Sequence, residues 1–172
     1  MSAVAGLLLG LLLGLFEGGL RAALPIAPDL LAVAVGGLCL RAPDARCGGL
    51  VLGVLLGFST FSADPIGALL LGGGMAALLL VPLRDVVFVE SALTHALFGG
   101  VAALLLRFGR ELFSWFDLAP SLPFTAATWS APLLAALLLP ILVRLGEAGW
   151  GAVRRLVAAL ASWRARAGRP SA

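Results

Sequence analysis

The chain contains no lysine, one histidine, two cysteines and only 12% charged residues. Each shortage excludes something. A soluble domain carries about 25% charged residues, so roughly half of the water-facing charge expected of a chain this long is missing. Without lysine there is no glycine-rich phosphate loop ending in Gly-Lys-Ser/Thr. A single histidine rules out the two-histidine helix motif of zinc proteases. Two cysteines are too few for a disulfide framework, so Cys39 and Cys47 are read as free thiols, Cys39 as a small core residue. Ser59, Ser62 and Ser91 lack the glycine frame of a nucleophile elbow. No catalytic, cofactor-binding or metal-ligating residue is assigned, and the chain is read as a non-enzyme.

What is present is apolar: 61% hydrophobic residues and a mean hydropathy of +1.08 over 172 residues. A span takes roughly 20 apolar residues, so the length accommodates about six helices and no large soluble domain. Short charged or proline-bearing breaks predict spans over 3–24, 26–40, 47–61, 64–83, 86–106 and 122–145, a transmembrane domain over 1–146. The second is the least secure in length, since its continuous apolar run covers only 30–40. Asp29 and Asp64 are expected to cap spans, Asp64 with Pro65 at the first helical position. Arg84 and Asp85 are expected to complement the dipoles of the helices they separate. Residues 107–121, with Phe113, Trp115 and Phe116, read as an interfacial loop. The last span contains Pro132 and Pro140.

Arginine placement predicts orientation. With the N-terminus inside, nine arginines fall in cytoplasmic breaks or the tail, and only Arg21, Arg107 and Arg110 lie outside. Both termini are then cytoplasmic, and the start, lacking a signal peptide's basic region, is read as a first span. The charge is too local to support nucleic-acid binding. Residues 147–172 form a basic amphipathic tail: Trp150 and Trp163 share one face with Val153, Leu156, Val157 and Leu160. With Arg154, Arg155, Arg164 and Arg166 it is expected to lie on membrane lipids, or to dock a cytoplasmic partner.

Glycine recurs at every fourth position: Gly6, Gly10, Gly14 and Gly18 in the first span, Gly49, Gly53 and Gly57 in the third. Such stripes let helix backbones approach closely where lipid supplies no hydrophobic drive. Spacing leaves open whether they meet each other or a partner's helix. Gly72-Gly73-Gly74 adds a further point of this kind. Of the ionisable groups, Glu17 and Arg21 are spaced to pair on one helix face. Glu90, Thr94 and His95 share a sector of the fifth span and form a candidate intramembrane polar site. The plainer reading is an interhelical hydrogen bond, or a Glu90 close enough to the inner interface to be solvated.

Residues 28–83 carry a resemblance. Pro28-Asp29-Leu30 opening a span, the arginine-bearing break Arg41 to Arg46, Gly49-Leu-Val-Leu-Gly53-Val-Leu-Leu-Gly57 and Asp64-Pro65-Ile66-Gly67 resemble, in order, motifs of the bacterial rod shape-determining protein MreD family. The aspartate usual near the end of that family's third span is replaced here by Gly57-Phe58-Ser59-Thr60. The resemblance implies an all-α, six-span inner-membrane bundle similar to the substrate-binding subunits of energy-coupling-factor vitamin transporters. It implies a scaffold of the cell-elongation complex, serving cell shape and peptidoglycan synthesis without a cofactor. Its partners would be an MreC-like single-span protein and, more widely, a RodA-type glycan polymerase, a class B penicillin-binding transpeptidase and MreB filaments. The rival reading is a vitamin-capturing transporter subunit.

Overall fold

The computed structural model describes residues 2–23, 28–87, 90–116 and 126–167. Among these residues it contains six helices and no strand: α1 (Ser2–Ala23), α2 (Leu30–Arg41), α3 (Asp44–Ser59), α4 (Ile66–Leu83), α5 (Ala92–Trp115) and α6 (Ala126–Ala167). Among the described residues four segments are long and apolar enough to cross a membrane: Ala3–Ala23, Ile66–Leu83, Ala92–Trp115 and Pro132–Gly149. At 12 residues, α2 is a shorter apolar helix. It rises about 18 Å at 1.5 Å per residue, against a hydrocarbon core of about 30 Å. The chain divides into two compact units, Met1–Pro140 and Ile141–Ala172.

In the first unit α2 is the core. It packs against α5, α3 and α4, while α1 lies chiefly along α3. Leu31, Ala32, Val35 and Cys39 of α2 are fully buried. A helix apolar all round belongs inside a bundle, which is why this segment is short yet hydrophobic. Around it stand Val54 and Leu55 from α3, Leu69 and Leu80 from α4, and Phe98 and Leu106 from α5, all buried. Ala135 and Leu139 of α6 are buried as well, Ala135 against Gly99 and Leu139 beside Gly37.

Glycine sets the spacing of these helices. A Cβ added at Gly10 would overlap the Val54 carbonyl oxygen and lie 2.9 Å from the Phe58 nitrogen. One at Gly57 would overlap the Leu7 carbonyl and lie 2.9 Å from the Leu11 nitrogen; one at Gly53 would lie 2.8 Å from the Leu7 nitrogen. The stripes of α1 and α3 therefore meet each other, backbone to backbone, as small-residue faces in lipid do. Gly14 packs on Phe61, Gly49 is half-buried, and a Cβ at Gly18 would meet nothing within 4 Å. Gly72 and Gly109 form a second seam: a Cβ at Gly72 would come within 2.6 Å of Leu106 Cα, and one at Gly109 within 2.6 Å of the Ala68 oxygen.

Several boundaries differ from the sequence expectation. Helix α5 begins at Ala92, because Ser91 is its N-cap and accepts a hydrogen bond from Leu93 N at 3.3 Å. Val86 and Val87, β-branched and poor helix formers, precede it outside any helix. At its other end α5 runs on to Trp115, so residues 107–115 are helical, while 117–121 of the expected loop lie outside the described residues. Gly109 in the seam and an Arg107–Glu111 pair at 3.3 Å hold those extra turns.

The last expected span and the tail from 147 are continuous, since α6 is one helix of 42 residues with Pro132 and Pro140 inside it. Glycines at 146, 149 and 151 each cost about 1 kcal/mol of helix propensity, and no proline follows Pro140 to stop the helix before its end. In the second unit Arg144, Arg154 and Arg155 are exposed, and Arg155 Nε donates to the Gly151 carbonyl at 3.3 Å. The side chains of Trp150, Trp163, Arg164 and Arg166 lie outside the described residues.

Candidate functional site

Two charged clusters lie at the two ends of α2. Its N-terminus leaves backbone N–H groups without intrahelical partners and carries the positive end of the helix dipole. Asp29 caps it, accepting from Ala32 N at 2.9 Å. Glu17 of α1 reaches the same end and accepts from Leu30 N at 3.1 Å. The Glu17 carboxylate is 2% exposed, and Arg21, one turn along α1, pairs with it at 2.5 Å. Two carboxylates therefore meet one helix N-terminus, and one guanidinium balances part of their charge.

The loop between α3 and α4 closes this end. Asp64 does not cap α4: Pro65 occupies the N-cap position without a side-chain bond. The Asp64 carboxylate turns instead to Arg110 of α5, 2.8 Å away, and accepts from Ser62 Oγ at 2.9 Å. The Arg110 contact is an ion pair by distance; its Nη2 and Nε are not aligned for a hydrogen bond within the described residues. Between these groups lies a half-open cavity of about 210 Å³, lined by Glu17, Arg21, Ser62 and Asp64 and walled by Phe58 and Phe61. Gly14 and Gly18 form its α1 side.

At the opposite end, Arg84 closes the C-terminus of α2. Its Nη1 donates to the carbonyls of Ala42 and, at 3.4 Å, Cys39, while Nη2 pairs with Asp44 and Nε lies 3.7 Å from Asp85. Arginine here serves α2 rather than the helix it ends, because the α2 carbonyls carry the negative dipole end inside the protein. Asp85 lies in the turn after α4, well before Ala92, so it caps nothing.

The three residues of the expected polar site are not brought together. Thr94 and His95 are buried in α5, whereas Glu90 is exposed in the turn before Ser91. The one-sector reading assumed a helix through residue 90, and the helix starts later. Cys39 and Cys47 are free and buried, and Cys47 Sγ donates to the Leu38 carbonyl at 3.7 Å. Among the described residues no group of three His, Cys, Asp or Glu side chains could hold a metal ion.

Removing the Glu17 carboxylate leaves the part-buried Leu30 N–H without its side-chain acceptor. We expect Glu17→Ala to cost about 1–3 kcal/mol, with the exposed side of the Arg21 pair adding little. Glu17→Gln, which keeps an acceptor, should lose less. Circular dichroism during denaturation in detergent gives the order, and equal losses for the two variants would remove the backbone contact from the account.

These features define a class: an all-helical protein of apolar helices, suited to a membrane, knit by glycine seams around a short buried helix with charged groups at both ends. No family model matches the chain, and no curated protein or solved structure matches it.

Proposed function

We propose that the chain is a non-enzymatic scaffold subunit of the bacterial cell-elongation complex, a six-span protein of the inner membrane with both termini cytoplasmic. In this reading it binds an MreC-like single-span protein and helps couple peptidoglycan synthesis to cell shape. The observation that carries it is where the resemblance residues fall. Pro28-Asp29-Leu30 opens the core helix, with Asp29 as its cap, and Gly53 and Gly57 make the α1–α3 seam. The motif thus supplies framework for a bundle rather than reacting groups. Arg21, Arg107 and Arg110 against the remaining nine arginines support the orientation. A 12-residue helix can serve as a crossing because its ends meet protein charges instead of lipid.

The seam changes how a partner would bind. Gly10, Gly53 and Gly57 are used within the chain, so substitutions there report on folding rather than on a partner. The test is purification of the unaltered chain from native membranes with gentle detergent. A stoichiometric single-span protein with an extramembrane coiled coil is the expected companion. Its absence, together with a vitamin-sized ligand bound at micromolar affinity, would replace this reading by the other. That second reading, a substrate-binding subunit of an energy-coupling-factor-type vitamin transporter with the same bundle, is favoured by one feature, the cavity beside Glu17.

A further inference from the structure

We propose that Cys39 and Cys47 form a dithiol couple, closed to a disulfide by hydrogen peroxide, that fastens the C-terminal end of α2 to the first turn of α3. The inference stands apart from both readings above. It begins with the turn between the two helices: α2 ends at Arg41, Ala42 and Pro43 intervene, and α3 starts at Asp44. Cys39 lies in the last turn of one helix and Cys47 in the first turn of the other, and both thiols are free and buried. The Cys47 Sγ–H donates at 3.7 Å to the carbonyl of Leu38, the peptide unit that carries Cys39, and the Cys39 thiol donates to the Cys47 sulfur. A short turn therefore holds two sulfurs against each other, and closing so small a loop costs little chain entropy.

The two sulfurs take different roles. Cys47 stands at the positive end of the α3 dipole. The Arg84 guanidinium, which donates to the Cys39 carbonyl at 3.4 Å, adds positive charge beside the pair, and Asp44, which shares that guanidinium, is largely exposed. Cys47 is thereby the better nucleophile of the two. Its thiolate attacks one oxygen of the peroxide: the S–O bond forms as the O–O bond breaks, and hydroxide leaves with the thiol proton as water. The Cys39 sulfur then attacks the Cys47 sulfenic acid, the S–S bond forms as the S–O bond breaks, and a second water carries away the Cys39 proton. Two electrons pass from the sulfurs to the peroxide oxygens. Size selects the oxidant, since burial shuts out bulky reagents such as copper-phenanthroline, whereas hydrogen peroxide is little larger than water. Gly48, next to Cys47, offers it an approach, because a Cβ there would meet nothing within 4 Å.

The unaltered full-length chain in detergent, treated with hydrogen peroxide, tests the pairing. Catalase removes the peroxide, dodecyl sulfate unfolds the chain, and N-ethylmaleimide then alkylates whatever thiol is left. Intact-mass spectrometry is expected to show a monomer lighter by two hydrogens and carrying no maleimide, which dithiothreitol converts to a form that takes up two. Variants separate the roles. Cys39→Ser should halt at a Cys47 sulfenic acid that dimedone traps, whereas Cys47→Ser should give no dimedone adduct and leave Cys39 open to alkylation after unfolding. Two maleimides on the peroxide-treated unaltered chain, disulfide-linked dimers in place of the lighter monomer, or a dimedone adduct on Cys39 would overturn the assignment.

Discussion

Gly10→Ala is expected to destabilise the protein by about 1–3 kcal/mol or more, the usual range for forcing atoms into a packed interior. The reason for expecting the upper part of that range is the identity of the neighbours. The added methyl meets the Val54 carbonyl and the Phe58 nitrogen, and backbone does not turn aside as a flexible side chain would. Helix α1 must therefore lift from α3. Gly57→Ala, whose methyl meets the backbone at Leu7 and Leu11, should act alike, and Gly10→Leu should remove folded protein from the membrane. Gly18→Ala is expected to have the opposite sign. It lies in the same stripe but faces open space, so alanine gains up to about 1 kcal/mol of helix propensity. Thermal unfolding in one detergent reads both signs in one experiment; equal effects at Gly10 and Gly18 would refute the packing assigned to the seam.

The second large effect is expected at Arg84. Its side chain is 13% exposed and holds two carbonyls at the C-terminus of α2 together with Asp44. Arg84→Met keeps much of the volume and removes every donor. Hydrogen bonds from a charged group contribute roughly 1.5–3 kcal/mol net, so a loss of about 3 kcal/mol is anticipated. Asp44 and Asp85 are largely exposed and add little. Arg84→Lys retains charge without the planar fork and should recover only part of the loss. Full recovery by lysine would mean that the dipole charge alone matters and that the bidentate geometry does not.

The parts of the fold legible in the sequence were those with local causes. The Glu17–Arg21 pair follows from a four-residue spacing, the Asp29 cap from its place ahead of an apolar run, and the close-packed faces from the glycine period. The parts that escaped depend on distant partners. Asp64 reads locally as a cap before proline, and only the approach of α5 gives its carboxylate to Arg110. Arg84 reads as the end of its own helix, yet it serves carbonyls some forty residues earlier. Hydropathy misplaced the start of α5 because Val86 and Val87 are apolar without being helical, although Ser91 was a visible start signal. The shared polar sector expected of Glu90 with Thr94 and His95 went with it, whereas Glu90 is exposed, in keeping with the reading of a solvated side chain. That the last span and the amphipathic tail share one helix was not legible, because Gly146, Gly149 and Gly151 weaken a helix without ending it.

The glycine stripes of α1 and α3 meet each other within one chain, so they form an internal seam and not a surface offered to another. Val4 and Leu52 border one apolar groove beside that seam, and both side chains are exposed. Copper-phenanthroline oxidation of a Val4→Cys, Leu52→Cys double variant in native membranes tests the claim most directly, since the native thiols are buried and slow to react. An internally cross-linked monomer is expected, its yield independent of expression level. Covalent dimers in place of that monomer would contradict it.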